Sequence, residues 1–235
     1  MQRGRLIRML VLFDIDGTLL QTGGAGVSSF SQAGKHLYGS RFTLDGVVLA
    51  GRLDGSIHRD AAQAAGVDPS SDEGFCAEYS KRLGTLLETG ARRSEVLPGA
   101  RAFVNHIATS DVHTCGVLTG NWSQSGRLKL EAAGLDPDRF AVQAWAEDSN
   151  TRSGLVEVAL RRWRQKGGSG EGADAVIVGD TPHDVRCGQA HGCRTLAVAT
   201  GPVDRTELEA AGADRVVDDL EDFSTLLDWL GASQS

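Results

Sequence analysis

The stretch Met9-Leu10-Val11-Leu12-Phe13-Asp14-Ile15-Asp16-Gly17-Thr18-Leu19 runs from five apolar residues straight into two acids and a glycine. A short, continuous apolar run that ends in a turn signal reads as a strand buried on both faces, which is the habit of parallel sheets. Two carboxylates where such a strand ends are costly without a cation, and Gly17 permits a tight turn right after them. Outward from this stretch, five more apolar runs follow: HTCGVLTG at 113–120, FAVQAWAED at 140–148, AVIVGD at 175–180, TLAVATG at 195–201 and a weaker RVVDDL at 215–220. Helix-length segments separate them, and that alternation predicts an α/β fold, a parallel sheet with helices on both faces.

Two of the intervening helices are legible in detail. Trp122 to Ala133 offers Leu128, Leu130 and Ala133 as a buried stripe, with Gly134 placed to stop the helix. Leu155 to Gln165 reads as another, followed by a Gly/Ser-rich stretch from Lys166 to Gly172. That stretch is expected to be a flexible surface loop, since it lacks the Lys-Ser/Thr ending of a phosphate-cradling P-loop.

The interval from Gln21 to Glu95 breaks the rhythm, because it holds no convincing apolar strand run. DGSIHRDAAQAAG at 54–66 and GFCAEYSKRLGTLLETG at 74–90 have helix-favouring composition with glycine stops. The economical reading is a helical second domain, residues 21–95, inserted after the first strand into a main domain of residues 1–20 and 96–235. Pro98 and Gly99 mark the return.

At 235 residues, 40% hydrophobic and 23% charged, the composition is that of a globular protein, which excludes disordered and fibrous classes. A net charge of −7 argues against nucleic acid or an anionic membrane as partner and favours a small molecule. The opening MQRGRLIRMLVLF has the basic start of a leader, but its apolar run is short and lacks a small-residue cleavage site; it reads as a loose tail before a strand. No apolar run approaches the roughly 20 residues of a membrane helix, so a cytoplasmic protein is expected. Cys76, Cys115, Cys187 and Cys193 have no metal or redox spacing and read as reduced thiols packed like small apolar residues. The histidines form no HxH or HExxH pattern, and only His183 falls inside a motif.

Three motifs sit where an apolar run ends, and in an open α/β sheet such positions share the crevice beyond the strands' carboxyl ends. The first is Asp14-Ile15-Asp16-Gly17-Thr18. The second, Thr119-Gly120-Asn121, offers a hydroxyl and backbone N–H groups at the start of a helix, an anion site without net charge. The third, Gly179-Asp180-Thr181-Pro182-His183-Asp184, spaces two acids so that one can meet a magnesium ion and the other its water shell.

Taken together, DIDGTL, LTGN and GDTPHD resemble the haloacid dehalogenase superfamily, specifically its phosphatase branch and its phosphoglycolate phosphatase-like members, over nearly the whole chain. The resemblance implies a Rossmann-like core and a small helical cap that closes over the substrate. It implies that Asp14 is the nucleophile, that Asp16 is the general acid and then the base, and that Mg2+ is held by Asp14, the Asp16 carbonyl, Asp180 and, through water, Asp184. It implies that Thr119 and Gly120 bind phosphoryl oxygens, with Gly17, Thr18 and Asn121 also candidates for phosphate or substrate. The family's lysine after the third strand is missing, so Arg152 is the favoured stabilising cation and Lys129 the alternative, the loser being a solvated surface charge. Gly51-Arg52-Leu53-Asp54 resembles a GRTD segment near the leaving group, so Arg52 either reads an anionic group of the substrate or pairs with Asp54 on the surface.

The implied activity is Mg2+-dependent hydrolysis of a small phosphorylated metabolite such as phosphoglycolate or a sugar phosphate, by a monomer or homodimer. A phosphomutase shares the nucleophile and acid, and a non-catalytic phospho-ligand-binding module shares the fold. Asp16 disfavours dehalogenation. Lys35 and Lys81 stand in no context that suggests phosphonate chemistry.

Overall fold

The computed structural model describes residues 9–69 and 71–231. The tail expected before the first strand lies outside the described residues. In chain order the elements are β1 (Met9–Phe13), β2 (Leu20–Gln21), α1 (Ala25–Tyr38), α2 (Asp54–Ala64), α3 (Asp72–Glu88), β3 (Glu95–Val96), α4 (Ala100–Ala108) and β4 (His113–Leu118). There follow α5 (Ser123–Ala132), β5 (Val142–Ala144), α6 (Arg152–Gln165), β6 (Ala175–Gly179), α7 (Pro182–Ala190), β7 (Arg194–Val198), α8 (Arg205–Ala210), β8 (Arg215–Val217) and α9 (Phe223–Gly231).

Six strands form one sheet in the order β5-β4-β1-β6-β7-β8, every pair parallel. All six apolar runs therefore become its strands, since only a strand covered on both faces can be apolar at every position. β1 shows this: Leu10 and Leu12 join one apolar cluster, Val11 and Phe13 the cluster on the opposite face. β1 also lies between β4 and β6, where the strand order reverses, so the loops after these three neighbouring strands open into one crevice.

Between β1 and α4 the chain is mainly helical, with α1, α2 and α3 packed through Phe30, Phe42, Phe75, Tyr79 and Leu83. Phe30 stacks on Trp122 at the start of α5, ring centroids 6.1 Å apart, so this apolar cluster runs on into the sheet's own. Two strands occur where the sequence reading expected none: β2 and β3 pair antiparallel, Leu20 with Val96, closing the two ends of the insertion. A two-residue strand is too short to show an apolar pattern.

Of the stripe expected on α5, Leu130 and Ala133 are buried, whereas Leu128 is only half-buried and Lys129 beside it is buried. The four cysteines are free, and burial pushes the thiols of Cys115, Cys187 and Cys193 up to about 12. Among the described residues no helix is long and apolar enough to cross a membrane.

Candidate active site

The three motif loops after β1, β4 and β6 line one cavity of about 310 Å³, to which α1 and the segment leading into α2 also contribute. Asp14 and Asp180 line its floor, and Asp184 lies just behind them, ligand oxygens of the three carboxylates falling within 4.8 Å of one another, all buried. Each is anchored. The backbone N–H of Ile15 donates to Asp14 Oδ1 at 2.8 Å, and the hydroxyl of Thr18 donates to Asp180 Oδ1 at 3.0 Å. Asp184 sits in the first turn of α7, where Thr181 donates to its Oδ2 from the backbone N–H at 3.1 Å and from the hydroxyl at 2.7 Å.

Arg152, the first residue of α6, donates to Asp14 Oδ2 at 2.7 Å and also to Asp184 Oδ1. A cation at a helix N-terminus opposes the helix dipole, so those two carboxylates are what hold it there. Burial works against its charge, but Asp14 and then Asp184 outweigh burial and raise the guanidinium further.

Three carboxylates facing one guanidinium would leave two negative charges uncompensated. Burial accordingly pushes Asp14 above its ordinary value despite Arg152, and burial together with Asp184 and Asp14 pushes Asp180 up well above its own. A buried, oxygen-rich, charge-deficient cluster of this kind fits a hard divalent cation. Glycine at two positions makes the approach possible: a Cβ on Gly17 (φ +78°) would come within 2.3 Å of the Asp180 carboxylate, and one on Gly201 within 1.8 Å.

Asp16 is turned away from this cluster. Its Oδ2 accepts from Lys129 Nζ at 2.6 Å and from Asn121 Nδ2 at 2.8 Å, and Lys129 also donates to Asn121 Oδ1 at 2.6 Å. Asn121 Nδ2 donates in addition to Thr119 Oγ1 at 2.9 Å, which ties the second motif to the first. Burial disfavours the charge of Lys129, yet Asp16, Tyr79 and Asp54 together raise its ammonium above the ordinary lysine value.

Choosing between Arg152 and Lys129 is therefore a false alternative. Both are buried, at 9% and 5% exposure, and neither is a solvated surface charge. The roughly 10 Å expected between Lys129 and the start of its helix is recovered because helical side chains lean toward the N-terminus.

Other sequence candidates divide. Gly17, Thr119, Gly120 and Asn121 line the cavity, whereas Thr18 is fully buried and spent on Asp180. Arg52 lines the cavity but pairs with Asp60 at 2.7 Å, not with Asp54. Asp54 is instead buried. Its Oδ2 accepts from the backbone N–H of Trp122 at 3.1 Å and from the Ser125 hydroxyl at 3.4 Å, and its own N–H donates to Gly120 O at 2.7 Å. A Cβ on Gly120 would lie 2.0 Å from Arg52 O, so that glycine is what lets the segment before α2 close on the second motif. His183 packs beside Gly51 of the same segment, outside the cavity. The Lys166–Gly172 stretch does not line the cavity either. Asp54 and Tyr79 are not legible as site residues in the sequence, because each owes its position to contacts with distant residues, Asp54 with Trp122 and Ser125 and Tyr79 with Lys129; Thr181 lies inside the third motif, where it caps α7 through Asp184.

A family model described as haloacid dehalogenase-like hydrolase matches residues 11–198. Among curated proteins the chain is 28% identical to the tyrosine-protein kinase PtkA of Mycobacterium tuberculosis, over 91% of this chain and 71% of that one. It is 29% identical to the pyrophosphatase PpaX of Bacillus pumilus (80% and 82% covered) and 26% identical to a phosphoglycolate phosphatase of Rhodospirillum rubrum (95% and 91%). Among solved structures, a hydrolase from Pseudomonas syringae superposes with a TM-score of 0.69 at 19% identity, covering 96% of this chain and all of the other.

Proposed function

The chain belongs to the haloacid dehalogenase-like hydrolases, and from that premise we propose that it hydrolyses a small phosphomonoester through an aspartyl-phosphate on Asp14. The observation that carries the reading is the buried trio Asp14, Asp180 and Asp184 beneath the cavity, with Arg152 paired to Asp14 and Asp184. Mg2+ held by this trio, with the Asp16 carbonyl, would neutralise the charge that otherwise keeps a phosphate dianion from a carboxylate. The phosphatase and pyrophosphatase among the relatives support phosphate ester or anhydride cleavage.

Asp14 attacks phosphorus while the ester P–O bond breaks. Asp16, two residues on and open to the cavity, gives a proton to the departing oxygen and then takes one from the water that cleaves the acyl phosphate, releasing inorganic phosphate. In this reading the Thr119 hydroxyl and the Gly120 N–H, which line the same cavity, bind the phosphoryl oxygens, and Arg152 steadies the nucleophile's orientation.

The test is phosphate release from a panel of phosphomonoesters with and without EDTA, by wild type and Asp14→Asn. The expected result is magnesium-dependent release that falls by at least about 10³-fold in the variant. Turnover by Asp14→Asn equal to wild type overturns the assignment.

A further inference from the structure

The phosphate end of the cavity is polar throughout, but the end where a leaving group must lie is not. Val27 and Phe30 on α1, Leu44 and Leu49 in the connection to α2, and Ile57 on α2 line it there. Val27 is 51% exposed, one of the few large apolar side chains that the described residues leave open to solvent. Together with Phe30, Leu44, Leu49 and Ile57 it forms a group of apolar side chains on the wall of an otherwise polar cavity, and such a concave apolar lining suits an apolar ligand group.

The charges around the cavity are already engaged. Of its three lining cations, Arg152 faces Asp14 and Asp184, Lys129 faces Asp16, and Arg52 faces Asp60. Polar groups on the cap side already have partners as well: Asp54 Oδ2 accepts from Trp122 and Ser125, the Thr22 hydroxyl accepts from the Gly26 N–H at 3.3 Å, and the Tyr79 hydroxyl interacts with Lys129. A carboxylate or a second phosphate on the leaving group would find both buried cations engaged and would have to compete with Asp60 for Arg52. A ring of sugar hydroxyls would lose water against Leu44, Leu49 and Ile57, whose side chains offer no hydrogen bond in return, which is a net cost.

We propose that the substrate of this site is a phosphomonoester whose leaving group is uncharged and apolar, of the size of a single ring, and not phosphoglycolate or a sugar phosphate. This rests on the hydrolase reading above and narrows its substrate class. The volume agrees, since about 310 Å³ lies at the small end of ligand pockets and must also hold the phosphoryl group.

The experiment compares binding with turnover. Calorimetric titration of Asp14→Asn in the presence of magnesium uses three probes with alkyl leaving oxygens: benzyl phosphate, phosphoglycolate and glucose 6-phosphate. Benzyl phosphate is expected to bind about tenfold more tightly than either of the others, the discrimination typical of one small apolar group in a matching pocket. Val27→Asp in the same background is expected to bring the three affinities together, whereas a general loss of fold weakens all three alike. Equal or tighter binding of phosphoglycolate or glucose 6-phosphate overturns the proposal. Wild-type protein assayed in parallel separates the two readings: absence of phosphate release from every ester, with the benzyl preference intact, sinks the hydrolase reading and leaves the apolar subsite standing.

Discussion

Asp14 and Asp16 are two residues apart, yet they belong to opposite kinds of electrostatic environment. Asp14 is 6% exposed and shares its space with two more buried acids and one guanidinium. The Asp16 side chain is 44% exposed and faces one lysine and one amide. At the floor, negative charge outnumbers positive and water is excluded, so the demand for a further cation is built in. On the cavity side the charges balance, and a carboxylate left open to solvent can exchange a proton with a bound ligand or with water. The contrast separates metal binding and attack from proton transfer, within one turn of chain that Gly17 makes possible.

The sharpest way to break this contrast is to remove the floor's cation. Arg152→Ala leaves Asp14 and Asp184 buried without their partner, and breaking such a pair costs about 3–5 kcal/mol. Urea unfolding in EDTA is expected to show that loss, and magnesium is expected to recover part of it, because a divalent ion supplies charge to the same oxygens. Turnover should fall by about 10²- to 10³-fold. A variant as stable as wild type in EDTA would mean that the floor is not short of positive charge.

Lys129→Met probes the other side and should do less. The methionine fills the buried path of the lysine stem, and Asp16, being half-exposed, regains water in place of the ammonium. Turnover is expected to drop by about 10- to 100-fold, part of what positioned acid–base chemistry supplies. The magnesium concentration for half-maximal activity should stay where it is, since the Lys129 ammonium bonds Asp16 and Asn121 and not the floor carboxylates. A shift of that concentration comparable to the one in Arg152→Ala would merge the two environments into one.

Why the floor is more legible in the sequence than the cavity's other side follows from how each is built. Asp14, Thr119 and Asp180 each follow a buried strand directly, so an apolar run points at them, and the sheet order brings the three ends together. Lys129 lies in mid-helix, where its neighbours suggest a solvated face, and only the length and lean of its side chain deliver it to Asp16. For Asp54 the sequence suggests only a surface pairing with Arg52, as one of two alternatives for that arginine, because nothing local shows that Gly120 and Trp122 pack against Asp54. The α1 wall was equally hidden: Val27 and Phe30 lie on a helix the sequence reading never singled out, and only packing shows which of its residues reach the cavity.

Asp54 tests the outer environment from behind and should have the smallest effect on turnover, since it touches no reacting group. Burial pushes its carboxyl up to about 7 from the ordinary 3.8, against the pull of Lys129. A group whose folded value is raised in this way favours the folded state when protonated. Its contribution is complete below about pH 4 and is lost as pH rises through about 7, where the buried carboxylate ionises. Asp54→Asn keeps an oxygen for the Trp122 N–H and cannot ionise. Its unfolding free energy, followed by urea titration from pH 4 to 8, should therefore fall less steeply with pH than that of wild type, the difference opening between pH 4 and 7. The acids of the floor titrate alike in both proteins and cancel from the comparison. Parallel profiles would mean that Asp54 is charged throughout and acts as a second counter-ion of Lys129, in which case the cavity side carries an excess of negative charge, as the floor does.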